Sequence, residues 1–320
     1  MIKNGSFRRI ILASLALFIV LFTIYIFPKN DVKIDEKTIY KKVNTSAIYL
    51  VDSQNFVART SITVTSKNKL SIAKELLEAL INGTNKNQYI QSGFKTYLNN
   101  NVTIENVVLD EDTIEIYFSS SFIEALKENE EKIIESIVYT LTEIDGINKV
   151  KIYVGGDLLT KLPSSGKYIS NPLDRKIGIN KINHSSSIKD TQDVTVYFIN
   201  SYNDTNYFVP VTITTDNNNE KIEVIVKELT GKDNIDLNLS SYITQSVKLT
   251  KYKILDDKIN IEFSNDIFNS LGKIDEETLY GLSLSIYDNY NISKVSFYVN
   301  NEEIETYARN NPWKMTNSGI

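Results

Sequence analysis

Two short acidic segments are the first candidates for chemistry in this sequence. Asp110-Glu111-Asp112 and Asp256-Asp257 each separate two runs of alternating apolar residues. Neighbouring carboxylates are typical ligands of Ca²⁺, and a carboxylate pair is also a common arrangement for general acid and base catalysis. A protein-bound calcium ion takes about six to eight oxygen ligands, however, and a hairpin turn supplies only a few. Because Asp favours tight turns, we interpret both segments as turns rather than as sites.

His184 is the single histidine of the chain, and cysteine is absent. A Ser-His-Asp triad would have to use His184, which lies beside Ser185, Ser186 and Ser187 in a segment without apolar periodicity. A catalytic group needs a rigid frame, so we predict no catalytic role for this histidine. The absence of cysteine excludes disulfide frameworks, thiolate zinc sites, cysteine nucleophiles and a lipidated N-terminal cysteine.

Two glutamates and a glycine pair complete the set of candidate groups. Glu115 or Glu262 could act as the general acid of a peptidoglycan hydrolase, but each alternates outward on a predicted strand without a buried partner. Gly155-Gly156 follows a strand but precedes no helix, so it is interpreted as a turn rather than a phosphate-binding loop. We therefore predict a protein that is not an enzyme, with no catalytic, cofactor-binding or metal-binding residues.

The elements that would position such groups occur twice, at a spacing near 148 residues. Each copy is predicted to contain strand, strand, helix, strand, strand, helix and strand, beginning with residues 47–51 in one copy and 194–198 in the other. Strict alternation predicts that three residues of one strand in each copy face the core. These are Ile114, Ile116 and Phe118 in the first copy and Ile259, Ile261 and Phe263 in the second.

The first helix of each copy has one apolar stripe and is followed by a glycine. The stripe consists of Leu76, Leu77, Leu80 and Ile81 in the first copy, and the matching positions in the second copy are Val224, Ile225, Glu228 and Leu229. We predict that Gly83 and Gly231 cap these helices in a conformation with positive φ. The last two elements of each copy are a longer helix and a strand, and the turn Gly155-Gly156 of the first copy is replaced by Asn300-Asn301 in the second.

This pattern predicts an α/β (α+β) fold of two tandem two-layer sandwiches, each a small mixed sheet with two helices on one face. The predicted domains are residues 47–161 and 193–305. Residues 162–192, rich in Ser, Asn, Gly and Pro, are predicted to be a flexible linker, and residues 306–320 a C-terminal tail.

Residues 10–27 carry no charged side chain and are predicted to form an N-terminal transmembrane helix. Lys3, Arg8 and Arg9 precede them, so the positive-inside rule places residues 1–9 in the cytoplasm as a short tail. Residues 28–46 would then be a juxtamembrane segment, and everything beyond them would lie outside the cell membrane. Bulky residues at the end of the apolar run favour a retained signal-anchor over a cleaved signal peptide.

The sequence resembles the GerM domain family of Gram-positive sporulation and spore-germination proteins. The resemblance is carried by residues 137–156, 80–83, 196–198 and 209–211, and by the segment that contains Pro172-Leu173-Asp174-Arg175. It implies a non-enzymatic extracytoplasmic module, often paired in tandem and related in shape to the ring-building domains of sporulation channels and secretion machines. The family pattern supplies no catalytic residue.

Our leading hypothesis is a single-pass membrane protein that presents two GerM-like domains as a scaffold in sporulation, spore germination or cell-envelope assembly. The expected partners are other envelope or sporulation proteins and further copies of the chain, in an oligomer or ring. No nucleic acid is expected, because the residues beyond the predicted transmembrane helix carry 32 basic and 40 acidic side chains. The alternative is an extracytoplasmic ligand-binding module for a small molecule or cell-wall fragment, held between the helices and sheet of each domain.

Overall fold

A computed structural model of the chain describes Leu17 and residues 44–187, 189–231 and 237–309. The chain divides into one unit of residues Met1–Val43 and a compact unit of residues Asn44–Ile320. None of the described helices is long and apolar enough to cross a membrane. Apart from Leu17, the predicted transmembrane segment 10–27 lies outside the described residues.

The first domain contains six strands and two helices among the described residues. They are β1 (Asn44–Val51), β2 (Val57–Val64), α1 (Lys69–Leu80), β3 (Ile104–Asp110), β4 (Thr113–Phe118), α2 (Ser121–Leu141), β5 (Lys149–Val154) and β6 (Asp157–Leu158). Strand β1 begins at Asn44, three residues before the predicted domain boundary. Helix α2 is interrupted at Asn129, whose φ of −141° and ψ of 40° are not helical.

The short strand β7 (Ile182–Asn183) precedes the second domain, which repeats the order of the first. Its elements are β8 (Thr191–Tyr202), β9 (Thr205–Asp216), α3 (Lys221–Thr230), β10 (Leu249–Ile254), β11 (Lys258–Phe263), α4 (Glu276–Asn289), β12 (Lys294–Val299) and β13 (Glu302–Ala308). The predicted order of elements is thus confirmed in both copies. Strands β6 and β13 were not predicted.

The described strands form three sheets rather than one sheet in each domain. The hairpins β1–β2 and β8–β9 belong to one shared sheet, in which Arg59 pairs with Phe208 and β7 runs parallel to β9. The first-domain sheet has the order β3-β4-β5-β6, and the second-domain sheet has the order β10-β11-β12-β13. The prediction of two tandem sandwiches, each built on a single sheet of its own, was therefore wrong, because the first hairpins of the two domains share a sheet.

The burial of the longer helices gives the physical reason. All residues of segment 133–141 in α2 and of segment 278–287 in α4 are buried. A helix that covers one face of a single sheet keeps a solvent-exposed side. Helix α2 instead contacts both β1 and β5, and α4 contacts both β8 and β12. Each helix therefore lies between the shared sheet and the four-stranded sheet of its own domain.

Strand alternation correctly predicted the inner faces of the two four-stranded sheets. The six core residues named from the sequence are at most 2% exposed: Ile114, Ile116, Phe118, Ile259, Ile261 and Phe263. Burying an aliphatic or aromatic side chain of this size contributes about 1.5–3 kcal/mol. These residues join each sheet to its helices in two separate hydrophobic cores.

The turn predicted at Gly155-Gly156 is confirmed, and Asn300-Asn301 makes the same turn in the second domain. The φ values are 58° and 93° for the glycines and 53° and 63° for the asparagines. Asn tolerates this left-handed region better than other side chains, so the replacement preserves the hairpin. Because β13 follows this turn and continues to Ala308, residues 306–308 are a strand and not the start of a tail.

The predicted helix caps are only partly correct. Gly83 has a φ of 84°, but α1 already ends at the capping residue Ile81. Gly231 caps α3 with an extended φ of −74°, so the prediction of positive φ there was wrong. The Thr230 hydroxyl donates to the carbonyl of Val226 at 2.8 Å. The same hydroxyl lies 3.4 Å from the carbonyl of Lys227, which is one of the last four of the helix, and provides a donor there without a left-handed residue.

The segment 162–192 is packed against both domains and is not a flexible linker. Leu173 exchanges two backbone hydrogen bonds of 2.8 Å with Val150 at the edge of β5. Ile179 is fully buried, and its carbonyl accepts from the Thr212 amide in β9 at 2.8 Å. A short 3-10 turn at Arg175–Ile177 lies between these two contacts. Polar composition suggested a linker, but a few apolar anchors and backbone pairs hold the segment in place.

Candidate functional site

The two domains meet through tyrosines that occupy the same position in each copy. Tyr49 in β1 and Tyr197 in β8 are 148 residues apart, fully buried, and their hydroxyl oxygens lie 2.9 Å from each other. The Tyr49 amide donates to the Thr140 hydroxyl of α2 at 2.9 Å, and the Tyr197 amide donates to the Ser285 hydroxyl of α4 at 3.0 Å. Equivalent residues that contact each other indicate an approximate two-fold relation between the domains.

A carboxylate from each domain lies beside this tyrosine pair. Glu143, just after α2, accepts from Arg59 Nη2 at 2.7 Å, from Arg175 Nη2 at 2.6 Å and from the Tyr49 hydroxyl at 3.2 Å. Asp288 in α4 has a side chain only 3% exposed. It accepts from the Tyr197 hydroxyl at 2.8 Å and from Arg175 Nη1.

Arg175 reaches this cluster from residues 162–192, the connecting segment, and bonds to both domains. Its Nε donates to the Thr142 hydroxyl at 2.9 Å, and its Nη2 donates to the Tyr139 carbonyl at 3.2 Å. The guanidinium carbon lies 4.8 Å from the ring centroid of Tyr139 and 5.6 Å from that of Tyr49. A buried guanidinium is well suited to this position because its planar fork combines several hydrogen bonds with stacking on aromatic rings.

The register of the two hairpins explains why the cluster is not symmetric. Arg59 lies opposite Tyr49 in the first hairpin, whereas Pro210 lies opposite Tyr197 in the second. The second domain therefore has no arginine of its own at this place, and Arg175 is the guanidinium that contacts Asp288. We call Tyr49, Arg59, Tyr139, Glu143, Arg175, Tyr197 and Asp288 the inter-domain cluster.

Glu143, the two arginines and the tyrosines of this cluster keep fixed charge states near neutral pH. Burial raises the pKa of Glu143, but the charges and hydrogen bonds of Arg59 and Arg175 outweigh burial and lower that pKa to about 2. Burial raises the pKa of the Tyr49 and Tyr197 hydroxyls above the ordinary value of 10. Two cations thus face two carboxylates. General acid and base catalysis needs a pKa close to the working pH, so this arrangement suits a permanent junction instead.

A second polar junction lies further along the same two strands. Asp52 is fully buried and accepts from the amides of Gln54 and Phe56 at 3.0 and 2.8 Å. It also accepts from Asn200 Nδ2 and from the Tyr207 hydroxyl of the other domain, both at 2.9 Å. Asp52 and Asn200 are again 148 residues apart, so this contact also joins equivalent positions.

Asn180 in the connecting segment completes the join between β2 and β9. Its Nδ2 donates to the carbonyls of Val57 and Pro210 at 2.8 and 2.7 Å, and its Oδ1 accepts from the Val57 amide at 2.9 Å. Proline has no amide to offer a neighbouring strand. A side-chain amide therefore supplies the bonds that would otherwise be missing between the hairpins.

A cleft of about 740 Å³ opens between the domains beside Arg175. Its walls include Gln192, Lys221, Asn289 and Tyr290. Most of these polar groups already have partners within the protein: Asn289 bonds Thr195, Lys221 bonds the Asp193 carbonyl, and Tyr290 bonds Glu220. The cleft is large enough for a ligand, but these polar groups are used in holding the walls.

The sequence-predicted candidate residues do not converge on one site. Glu111 and Asp112 form the turn between β3 and β4, and the Asp112 carboxylate contacts Lys149 at 3.2 Å. In the second domain, Asp257 accepts from the Ser293 amide at 3.0 Å. No group of three or more acidic or histidine side chains that could hold a metal occurs among the described residues.

The other candidates are also placed apart from each other. His184 donates its amide to the Thr214 carbonyl at 2.9 Å, and its Nδ1 lies 3.7 Å from Glu228. Glu115 accepts from Lys151 at 2.8 Å, and Glu262 accepts from the Asn301 amide at 2.9 Å. Both glutamates therefore take part in structural contacts on the outer faces of their sheets.

Sequence reasoning missed the inter-domain cluster. One signal was present, since the opening strand of each copy carries a tyrosine at the same position, Tyr49 and Tyr197, and an acidic residue follows or ends each long helix. Arg175 could not have been found in this way, because it lies in a segment that occurs once and has no counterpart in the repeat.

Three comparisons with known proteins agree with this architecture. The family model Germane, described as sporulation and spore germination, matches residues 47–160 and 195–305. The spore germination protein GerM of Bacillus subtilis is 30% identical over 262 residues, which cover 79% of this chain and 70% of that protein. The solved tandem GerMN domains of the same Bacillus subtilis protein match with a TM-score of 0.71 and 30% identity, over 81% of this chain and 92% of that structure.

Proposed function

Because this chain belongs to the Germane family of sporulation and spore germination proteins, we propose that it is a non-enzymatic, membrane-anchored scaffold of the cell envelope. The observation that carries the proposal is the inter-domain cluster. It joins the two domains through buried, internally paired charges, so both domains present their outer surfaces in a fixed relation. A rigid double module of this kind is suited to holding partners at a set spacing.

The proposed location rests on the N-terminal sequence. Residues 10–27 would cross the membrane with Lys3, Arg8 and Arg9 on the cytoplasmic side, and residues 44–320 would lie outside. The proposed partners are other envelope or sporulation proteins and further copies of this chain. Membrane attachment would confine all of them to one surface, which raises their effective concentration.

Localisation and spore phenotype test this proposal together. In the bacterium that encodes the chain, the intact protein is expected in the membrane fraction, with residues 44–320 accessible to protease added to protoplasts. Deleting the gene is expected to lower the yield of heat-resistant spores or the fraction that germinates. The wild-type gene should restore the phenotype, and a gene without codons 1–27 should not. Normal spore yield and germination after deletion would refute the assignment to this process.

The inter-domain cleft favours a second candidate function, in which a cell-wall fragment or small molecule binds between the domains. The cleft of about 740 Å³ lies within the range of ligand pockets, and its walls contain the aromatic ring of Tyr290 and amide groups. By contrast, the cavity between helices and sheet in the first domain measures only about 10 Å³. Titration of residues 44–320 with purified muropeptides, followed by NMR, separates the candidates: saturable shifts at Tyr290 and Asn289 would support ligand binding, and an unchanged spectrum would exclude it.

A further inference from the structure

The two outer strands of the second-domain sheet carry opposite charges. Strand β10 and the residue before it expose Lys248, Lys251 and Lys253, whereas β13 exposes Glu302, Glu303 and Glu305. In the described part of the chain, none of these six side chains forms an ion pair. One edge is therefore basic and the other acidic, and Lys258 acts on Glu303 only through its charge, without an ion pair among the described residues.

Both strands are also open to pairing on one side. Strand β10 pairs with β11, and β13 pairs with β12, and no other described strand pairs with either of them. Apolar side chains are exposed along the same edges: Ile254 is 44% exposed, Leu255 38% and Ile304 37%. The unpaired backbone and the exposed apolar residues of these edges favour adding a further strand, whereas the edge lysines and glutamates oppose pairing with an edge of the same charge.

The first-domain sheet lacks this combination. Its β6 strand has only two residues, and beyond it the edge of β5 is covered by Leu173 of the connecting segment. Its other outer strand, β3, carries Glu105 and Asp110 and no lysine. The complementary edges are thus a property of the second domain alone.

The register of the second-domain sheet places one charge of each edge, Lys251 and Glu303, in one row, whereas Glu302 and Glu305 pair with the core-facing Val299 and Phe297 and lie on the other face. Lys251 pairs with Glu262, Glu262 with Tyr298, and Tyr298 with Glu303, so these four side chains share the outer face of the sheet. Because β11 and β12 are parallel and both outer strands are antiparallel to them, β10 and β13 run in the same direction. A second copy added beside β13 would continue the row, with its own Lys251 next to Glu303 of the first.

We propose that β13 of one copy pairs with β10 of a second copy, so that chains associate head to tail through their second domains. The inference deepens the proposed scaffold function and rests on it for its biological role, although the contact itself is argued from the sheet. Pairing of two identical edges would bring like charges together, which costs several kcal/mol. Both strand pairs contain a bulge, which disfavours indiscriminate strand addition and leaves charge to select the partner.

A charge-swap experiment tests the contact on residues 44–320, the compact unit. One variant carries Lys251→Glu and Lys253→Glu, and the other carries Glu303→Lys and Glu305→Lys. All four side chains are exposed, so folding should be preserved, and circular dichroism checks this. Sedimentation velocity is measured at about 0.01 M and about 1 M ionic strength, where charges are screened beyond about 30 Å and 3 Å respectively.

The wild-type unit is expected to self-associate at low ionic strength and to dissociate at high ionic strength. Each variant alone should self-associate at least about tenfold more weakly, because its two edges repel. Mixing the variants should restore association in alternating order at low ionic strength, since both seams between unlike variants bring opposite charges together. The control variant with Glu105→Lys and Asp110→Lys on β3 should associate like the wild type.

Three results would overturn the proposal: a wild-type unit that stays monomeric at low ionic strength, a mixture of variants that does not associate, or a β3 control that also loses association. The spore assay distinguishes this failure from failure of the scaffold function. If a charge-swap variant no longer associates but restores spore yield and germination in the deletion strain, self-association is not what the scaffold requires.

Discussion

Replacing Arg175 with methionine is the most direct test of the inter-domain cluster. Arg175 donates to five acceptors, namely the Thr142 hydroxyl, the Tyr139 carbonyl, the Tyr197 hydroxyl and the carboxylates of Glu143 and Asp288. Methionine keeps an unbranched apolar side chain but removes the charge and all donors. In the variant, Glu143 would still bond Arg59, whereas Asp288, only 3% exposed, would keep only the Tyr197 hydroxyl.

The expected cost follows from that unpaired carboxylate. Removing one partner of a buried ion pair typically destabilises a protein by about 3–5 kcal/mol. Because the Arg175 side chain is 18% exposed, water can partly replace it, and we expect about 3 kcal/mol. Total unfolding free energies are about 5–15 kcal/mol, so the variant should lose a substantial part of its stability.

Urea unfolding of residues 44–320 at neutral pH, followed by circular dichroism, measures this loss. Lys176→Met is the matched control, because Lys176 is the exposed neighbour and should change stability by at most about 0.5 kcal/mol. Adding Asp288→Asn to Arg175→Met removes the unpaired charge and should recover about 1–3 kcal/mol. The reasoning is refuted if Arg175→Met unfolds like the control, or if the second substitution recovers nothing.

Three further outcomes are expected from the same unfolding assay. The pKa of Glu143 is about 2 in the folded chain and 4.5 ordinarily, so its ionised form contributes about 3 kcal/mol to the free energy of unfolding. This contribution is complete above about pH 5 and is lost as the pH falls towards 2. Glu143→Gln should remove that part of the acid dependence, and an unchanged acid midpoint would contradict the assignment. Tyr49→Phe and Tyr197→Phe should each cost about 1–3 kcal/mol, and together less than their sum. The Tyr49 hydroxyl, which is shared with Glu143, donates to the Tyr197 oxygen, whose own proton goes to Asp288, so strict additivity would argue against this contact. The free energy of unfolding of the double variant Asn300→Gly, Asn301→Gly should stay within about 0.5 kcal/mol of the wild type. Asn300→Val should lower it by about 1–2 kcal/mol, because residue 300 has a φ of 53°. Equal stability of both variants would show that the turn tolerates any residue.

Local patterns predicted the elements of this fold well but not the arrangement of its layers. Alternation identified the buried residues of β4 and β11, because the period of a strand depends on its own two faces. The pairing of β2 with β9 rests on the register pair Arg59 and Phe208, which are far apart in sequence. A clue lay in α4, where the buried segment 278–287 has no polar stripe. A helix without a polar side must be covered on more than one face.

The candidate site was harder to predict because it depends on contacts between the copies. Alignment of the repeats shows which residues are equivalent, but not that Tyr49 and Tyr197 contact each other. The polar composition of the segment that contains Arg175 also led to a wrong prediction. It is typical of a linker, although Leu173 and Ile179 are fully buried. A segment can be rich in turn-forming residues and still be fixed, when its few apolar side chains each have a partner.

The asymmetry of the cluster follows from joining two copies of a fold with a segment that occurs once. A two-fold arrangement brings one carboxylate from each copy, Glu143 and Asp288, to the same junction, where they would repel each other. The connecting segment occurs once and supplies one guanidinium to this junction, and Arg175 contacts both carboxylates. The remaining negative charge is matched by Arg59, while the equivalent place in the second hairpin is Pro210. The two domains are therefore not interchangeable, and the connecting segment is as much a part of the junction as either domain.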